Sequence, residues 1–281
     1  MEIVVARSAG FCMGVRRAIE MARELAGAEG RTVYTHGPLI HNPQELERLK
    51  GEGIVPLGAG AVPPAPVIVR AHGIPPQERE RLEAEAERVV DATCPKVSRI
   101  QQTIADYSGR GYAVIICGDA DHPEVTGLLG HARGPAFVVG GPDEVDRLPA
   151  LDRVLLVSQT TQDEGVFDEV VRRVAERFPG AEALNTICSS THRRQTEARE
   201  LAQGVDAVVV IGGRNSANTR RLYEICKGIC PRTYHVETPD ELPLDEIRGL
   251  ARVGVTAGAS TPAWIIEEVV GVLREVAQGA G

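Results

Sequence analysis

Two apolar periods alternate along the chain. Short runs rich in β-branched residues and apolar at successive positions recur at 3–6, 32–35, 67–71, 89–92, 113–117, 136–139, 154–158, 207–211, 233–236 and 253–257. Between them lie helical patterns at 14–26, 43–51, 76–88, 95–108, 122–132, 165–178, 191–203, 217–226 and 262–277. The first of these carries Val15, Ala18, Ile19, Ala22 and Leu25, an i, i+3, i+4, i+7 stripe. Runs that are apolar on both faces suit strands buried between helix layers. The alternation predicts an α/β protein with mainly parallel sheets.

Polar clusters fall where predicted strands hand over to predicted helices. Cys12, Cys94 and Cys188 each stand at such a handover. Cys94 is followed by Pro95, a favoured first helical residue, and Cys188 by Ser189, Ser190 and Thr191, which suit a helix start. From Cys12, His41 and His72 follow at 29 and 60 residues. From Cys94, His122 and Thr161 follow at 28 and 67, and from Cys188, Ser216 and Ser260 at 28 and 72. The cysteine steps of 82 and 94 residues divide the chain into thirds, 1–94, 95–187 and 188–281, the last with a C-terminal helix and short tail. The spacing predicts three small, pseudo-threefold-related α/β domains, each with a mainly parallel sheet; if they face a common axis the three cysteines converge at one central site, and coincidence among α/β units of similar length is the other reading. Ligands of open α/β sheets bind beyond the carboxyl ends of strands.

Composition narrows the function. The 281 residues are 43% hydrophobic and 25% charged, ordinary for a globular chain, and the net charge of −8 argues against a general nucleic-acid or anionic-membrane binder. No segment approaches the roughly 18 apolar residues of a membrane span, and the first residues do not read as a signal peptide. The expectation is a cytoplasmic protein whose six cysteines are thiols or metal ligands. No C-x-x-C occurs, and neither a G-x-G-x-x-G, a Walker A loop nor a G-x-S-x-G elbow is present. Cys117, inside the 113–117 run, is expected in the core. Cys226 and Cys230 are expected to be structural thiols, and His36, His131, His192 and His235 structural histidines. The arginine pairs 16/17, 172/173, 193/194 and 220/221 are expected on solvated helix faces.

Three thiolates at helix N-termini are electrostatically prepared to bind a metal. Soft ligands select zinc, copper(I) or an iron–sulfur cluster, and three of them leave one position open for Lewis-acid chemistry. The remaining loops are rich in neutral donors able to hold a phosphate at helix starts. His122 and Glu124 form an acid–base pair in sequence, with Glu124 the evident proton donor. Two other readings fit these residues. One is a zinc-stapled, non-catalytic phosphate-ligand binder with a Cys3His site. The other is a metal-free phosphosugar-type hydrolase or isomerase using His122 and Glu124.

In order along the chain stand Ala9-Gly10-Phe11-Cys12-Met13-Gly14-Val15, His41-Asn42-Pro43, Arg70-Ala71-His72-Gly73, Asp91-Ala92-Thr93-Cys94-Pro95, His122-Pro123-Glu124, Ser158-Gln159-Thr160-Thr161, Asn185-Thr186-Ile187-Cys188, Asn215-Ser216-Ala217-Asn218 and Ala259-Ser260-Thr261-Pro262. Together these motifs resemble the 4-hydroxy-3-methylbut-2-enyl diphosphate reductase family, from residue 9 to about 270. The resemblance implies a [4Fe–4S] cluster held by Cys12, Cys94 and Cys188 with one open iron, and three α/β domains around it. It implies reductive dehydroxylation of (E)-4-hydroxy-3-methylbut-2-enyl diphosphate to isopentenyl and dimethylallyl diphosphate, the last step of the non-mevalonate isoprenoid pathway, with the substrate hydroxyl at that iron. His41, His72, His122, Ser216, Asn218 and Ser260 would hold the diphosphate. Glu124, linked through Thr161, would deliver the proton, with His122 beside it and Thr161 also at the substrate. Electrons would come from ferredoxin or flavodoxin. The expected partners include no nucleic acid and no membrane, and the expected state is a monomer. Ala217 departs from the family, many members of which have a second Ser there; a backbone N–H can substitute for that phosphate contact, and the expected effect is a modest one on affinity, not lost activity.

Overall fold

The computed structural model describes residues 1–58, 62 and 64–279. Twelve strands are present among them. They are β1 (Glu2–Val5), β2 (Val33–Thr35), β3 (Ile54–Pro56), β4 (Pro66–Val69), β5 (Arg88–Asp91), β6 (Ala113–Cys117), β7 (Ala136–Val139), β8 (Val154–Ser158), β9 (Glu182–Ala183), β10 (Ala207–Ile211), β11 (Thr233–Val236) and β12 (Arg252–Ala257). The helices between them are α1 (Met13–Glu29), α2 (Pro43–Gly51), α3 (Pro76–Glu85), α4 (Pro95–Gly109), α5 (Pro123–Leu129), α6 (Pro142–Val145), α7 (Glu164–Arg177), α8 (Ser189–Gln203), α9 (Ala217–Ile229), α10 (Leu244–Ile247) and α11 (Ala263–Gln278). A 3-10 turn spans Pro239–Glu241.

Every strand pairing is parallel, in three four-stranded sheets ordered β3-β2-β4-β5, β7-β6-β8-β9 and β11-β10-β12-β1. Numbered within each sheet, all three share the order 2-1-3-4. In the last sheet the fourth position is filled by β1, from the opposite end of the chain, whose Glu2 to Val5 pair with Arg252 to Val255. The sheet containing residues 33–91 therefore omits the first strand of the 1–94 segment, and the 188–281 segment borrows that strand.

The chain packs as two units, one of residues 1–15, 40–47 and 189–281, the other of residues 16–39 and 48–188. In the first, alternate residues of β10 serve two cores. Val209 and Ile211 pack with Val253, Val255, Val269 and Leu273, and Val208 and Val210 with Ala198, Leu222 and Cys226. In the second, Ile115 and Cys117 of β6 join Phe167, Val170 and Val174 of α7. Val114 and Ile116 face Val97, Ile100 and Ile104 of α4 and Val125 and Leu128 of α5. A strand with a fully buried residue on each face must be apolar throughout, which is why β6, β8 and β10 read as unbroken runs.

Candidate active site

The 2-1-3-4 order places the first and third strands of each sheet side by side, β2 with β4, β6 with β8 and β10 with β12. Their onward connections run to opposite edges. That is a topological switch point, where loops beyond the strand ends part and leave a crevice. The six loops there carry His41, His72, His122, Thr161, Ser216 and Ser260. The fourth, edge strand leads to the cysteine in each case: β1 to Cys12, β5 to Cys94 and β9 to Cys188.

The cysteine backbones are held alike. Cys12 N–H donates to the Ala259 carbonyl at 3.0 Å, Cys94 N–H to Ala71 at 2.9 Å and Cys188 N–H to Thr160 at 2.9 Å. Each acceptor lies just past the third strand of its sheet, so one bond per sheet ties the cysteine to the switch-point loop. The approach is also shared by two of the three. Asp91 Oδ1 accepts the Thr93 N–H at 2.8 Å and Asn185 Oδ1 the Ile187 N–H at 3.0 Å, an Asx turn three residues ahead of each cysteine. The approach to Cys12 differs. Gly10 turns the chain with φ +106, and the Glu197 carboxylate accepts the Arg7 and Ser8 N–H groups at 2.6 and 2.9 Å.

All three thiols are partly exposed, whereas Cys117, Cys226 and Cys230 are buried, and burial pushes the Cys226 thiol up to about 12. Val15 N–H donates to Cys12 Sγ at 3.4 Å, and Lys96 Nζ to Cys188 Sγ at 3.3 Å. Both sulfurs thus accept an N–H donor beside a helix start.

In the unit of residues 16–39 and 48–188, Glu124 is buried in the first turn of α5. Its Oε1 accepts the Thr160 N–H and its Oε2 the Thr160 hydroxyl, each at 2.6 Å. The carboxyl is thus tied to Thr160, not to Thr161 as the resemblance implies. The Thr161 hydroxyl instead accepts the Gln159 Nε2 amide at 2.9 Å. Two adjacent threonines after a strand differ by half a turn in direction, and motif spacing does not separate them. His122 caps α5, its Nδ1 accepting the Glu124 N–H at 3.1 Å. That fixes the neutral tautomer with its proton on Nε2, a donor suited to an anion. The His72 ring meets His122 edge to face, centroids 5.3 Å apart.

In the other unit, Ser216 caps α9, accepting the Thr219 N–H at 3.3 Å. Ser260 Oγ donates to the His41 carbonyl at 3.0 Å and lies 3.5 Å from Ser216 Oγ. Asn42 caps α2 through Glu45 N–H at 2.8 Å. Asn218 is buried in the first turn of α9, and its Nδ2 meets no acceptor among the described residues. A buried amide donor left open is where an anionic oxygen would bind. Backbone closeness helps: a Cβ on Gly213 would stand 2.5 Å from the His41 carbonyl.

Lys96, Thr160 and the two Asx turns were not singled out from sequence. A cation in a helix's first turn is a readable anomaly that could have marked Lys96. Arg194 and Arg221 overturn the expectation of solvated arginine pairs, since both are buried, and Arg194 Nη2 donates to the Gly10 carbonyl at 2.6 Å. Helix α8 turns both Arg194 and Gln195 inward, so the charged pair straddles the helix boundary instead of lying on its outer face.

Residues 3–274 match the family described as LytB protein. Among curated relatives, the 4-hydroxy-3-methylbut-2-enyl diphosphate reductase of Geobacter sulfurreducens is 48% identical over 276 residues, covering 98% of both chains. The enzyme of that name from Aquifex aeolicus is 44% identical, covering 99% of this chain and 98% of its own. A solved structure of (E)-4-hydroxy-3-methyl-but-2-enyl diphosphate reductase, described as the terminal enzyme of the non-mevalonate pathway, is 43% identical with a TM-score of 0.73, covering 98% of this chain and 100% of its own. The Plasmodium falciparum reductase structure is 26% identical with a TM-score of 0.91, covering 96% and 87%. A match along nearly the whole length, with the three cysteine handovers and the six switch-point loops inside it, shows that this chain belongs to the LytB family.

Proposed function

We propose that this chain reduces (E)-4-hydroxy-3-methylbut-2-enyl diphosphate to isopentenyl and dimethylallyl diphosphate, the terminal reaction of the non-mevalonate pathway. Two electrons and two protons enter, the allylic C–O bond breaks, and the hydroxyl leaves as water. The observation that carries this reading is the recurrence of a partly exposed cysteine behind the fourth strand of each sheet, held by the same backbone bond, in a chain similar to such reductases throughout its length.

The donor chemistry fits an iron–sulfur group. Three accessible sulfurs, two of them accepting N–H donors, supply soft ligands and leave a fourth ligand position open. We assign Cys12, Cys94 and Cys188 as ligands of a [4Fe–4S] cluster. When bound, that cluster supplies the electrons and a Lewis-acid iron.

The protein's own groups do the rest. His41, His72, His122, Thr161, Ser216, Asn218 and Ser260 bind the diphosphate through neutral donors and helix starts, so the net charge of −8 is no obstacle. The open Asn218 amide and the Nε2 proton of His122 support those two assignments. Glu124 holds the proton to be delivered, with Thr160 fixing its carboxyl and Thr161 and His122 flanking it. Ferredoxin or flavodoxin supplies electrons to a cytoplasmic monomer. No helix among the described residues is long and apolar enough to cross a membrane.

Anaerobic isolation tests the reading. The expected protein is brown, with about four irons and four sulfides per chain, as a [4Fe–4S] centre requires. Cys12→Ser, Cys94→Ser and Cys188→Ser each lose cluster, and Cys117→Ala does not. Zinc without sulfide, or a colourless chain that takes up no iron and sulfide, would refute it.

A further inference from the structure

Only three of the 31 basic residues are lysine, and one of them, Lys96, stands where a cation is least welcome. It occupies the first turn of α4, two residues after the capping Cys94, in a turn with no acidic side chain. A positive charge there opposes the helix dipole. The unfavourable placement is offset by a specific contact. Lys96 Nζ lies 3.3 Å from Cys188 Sγ, and both residues are partly buried, so solvent screens the pair only in part. The compact ammonium suits a single sulfur acceptor, where the forked arginine used 28 times elsewhere suits paired oxygens. Contact also links two repeats: Lys96 follows the cysteine of one sheet and reaches the cysteine of the next.

We propose that Lys96 is a positioning residue that tunes the redox centre through Cys188. This inference rests on the reading of Cys188 as a cluster ligand. An N–H···S bond draws electron density from the sulfur, and the ammonium charge stabilises the added electron; both raise the potential of a thiolate-bound cluster. The step concerned is the gain of one electron from the carrier, with no bond made or broken. Its effect is to let a protein of net charge −8 accept that electron more readily.

The test is an equilibrium redox titration of substrate-free holoprotein, following the electron paramagnetic resonance signal of the reduced cluster in wild type, Lys96→Met and Lys96→Arg. Methionine keeps the unbranched side chain to within one atom of its length and removes its charge and donors. At a potential fixed at the wild-type midpoint, the reduced-to-oxidised ratio in Lys96→Met is expected to fall about tenfold, equivalent to about 59 mV for a one-electron couple. Lys96→Arg, which keeps the charge but not the compact donor, should recover part of the difference. A midpoint in Lys96→Met that is unmoved or raised overturns the proposal while the cluster reading stands. Cluster loss in Lys96→Met would show that the side chain retains the cluster instead of tuning it, and overturns it too. Absence of iron and sulfide from the wild type overturns both readings together.

Discussion

One hydroxyl decides how Glu124 is presented. A carboxyl buried in the first turn of α5 needs donors, and Thr160 supplies two from a single residue, its N–H and its side chain. Leaving a buried hydrogen-bonding group unsatisfied costs about 1–3 kcal/mol. Thr160→Val is therefore expected to lower the unfolding free energy by about that amount in urea titrations. Thr161→Val should leave stability nearer the parent and act on substrate affinity. Glu124→Gln should keep the fold, by circular dichroism, and lose about 10²–10⁴-fold in turnover, the range for a general acid. Equal stability losses at 160 and 161 would contradict the geometry. At this scale the sequence was readable for residue type and not for direction. His122, Glu124, Ser216 and Asn218 stand at helix starts as their capping chemistry requires. Which of two neighbouring threonines turns inward, and that Arg194 and Arg221 are buried, depend on the packing of other elements.

Among elements, the long periodic ones were readable and the edges were not. Strands β6, β7, β8, β10 and β11 and helix α2 match the residues the pattern predicts. Strands β3 and β9, with three and two residues, are too short to show a period, and the predicted end of α3 at residue 88 yields to β5, which begins there. The switch-point loops also depend on absent side chains. Gly258 N–H donates to the Ile211 carbonyl at 2.9 Å, and a Cβ there would fall 2.0 Å from Thr219 Oγ1 and 3.1 Å from its Cβ. Thr219 is fully buried in α9, so relief requires moving the helix that carries Ser216 and Asn218. Gly258→Ala is accordingly expected to cost at least about 1–3 kcal/mol, the range for overpacking. It should also weaken diphosphate binding measured calorimetrically. A variant with parental stability would show that the β12–α11 loop is softer than its packing implies.

For the whole molecule, spacing alone pointed to three α/β repeats, and the fold uses one strand order three times, though not along the boundaries of the thirds, since β1 joins the last sheet. Sequence could not reveal that the last sheet is completed by the first strand, because β1 and β12 have no signal linking them beyond both being apolar. The repeat suggests a rearranged chain. Where α7 leads into β9, four residues, 178–181, make the connection, so a link of similar length from Gln278 to Glu2 would supply the missing join between α11 and β1. Opening that closed chain between Ala150 and Leu151, in an irregular surface stretch, should give a protein with the parental far-ultraviolet spectrum and one cooperative unfolding transition. A chain without fixed structure would show that β1 does not tolerate a link to α11. The borrowed strand also has a meaning in time. Ile3, Val4 and Val5 of β1 are made about 250 residues ahead of their partners Val253, Gly254 and Val255. At about 5–20 residues per second, that is a wait of roughly 12–50 s with an apolar strand unpaired. The nascent β1 strand is thus a natural client for chaperones, and the last sheet forms only once β12 has been made.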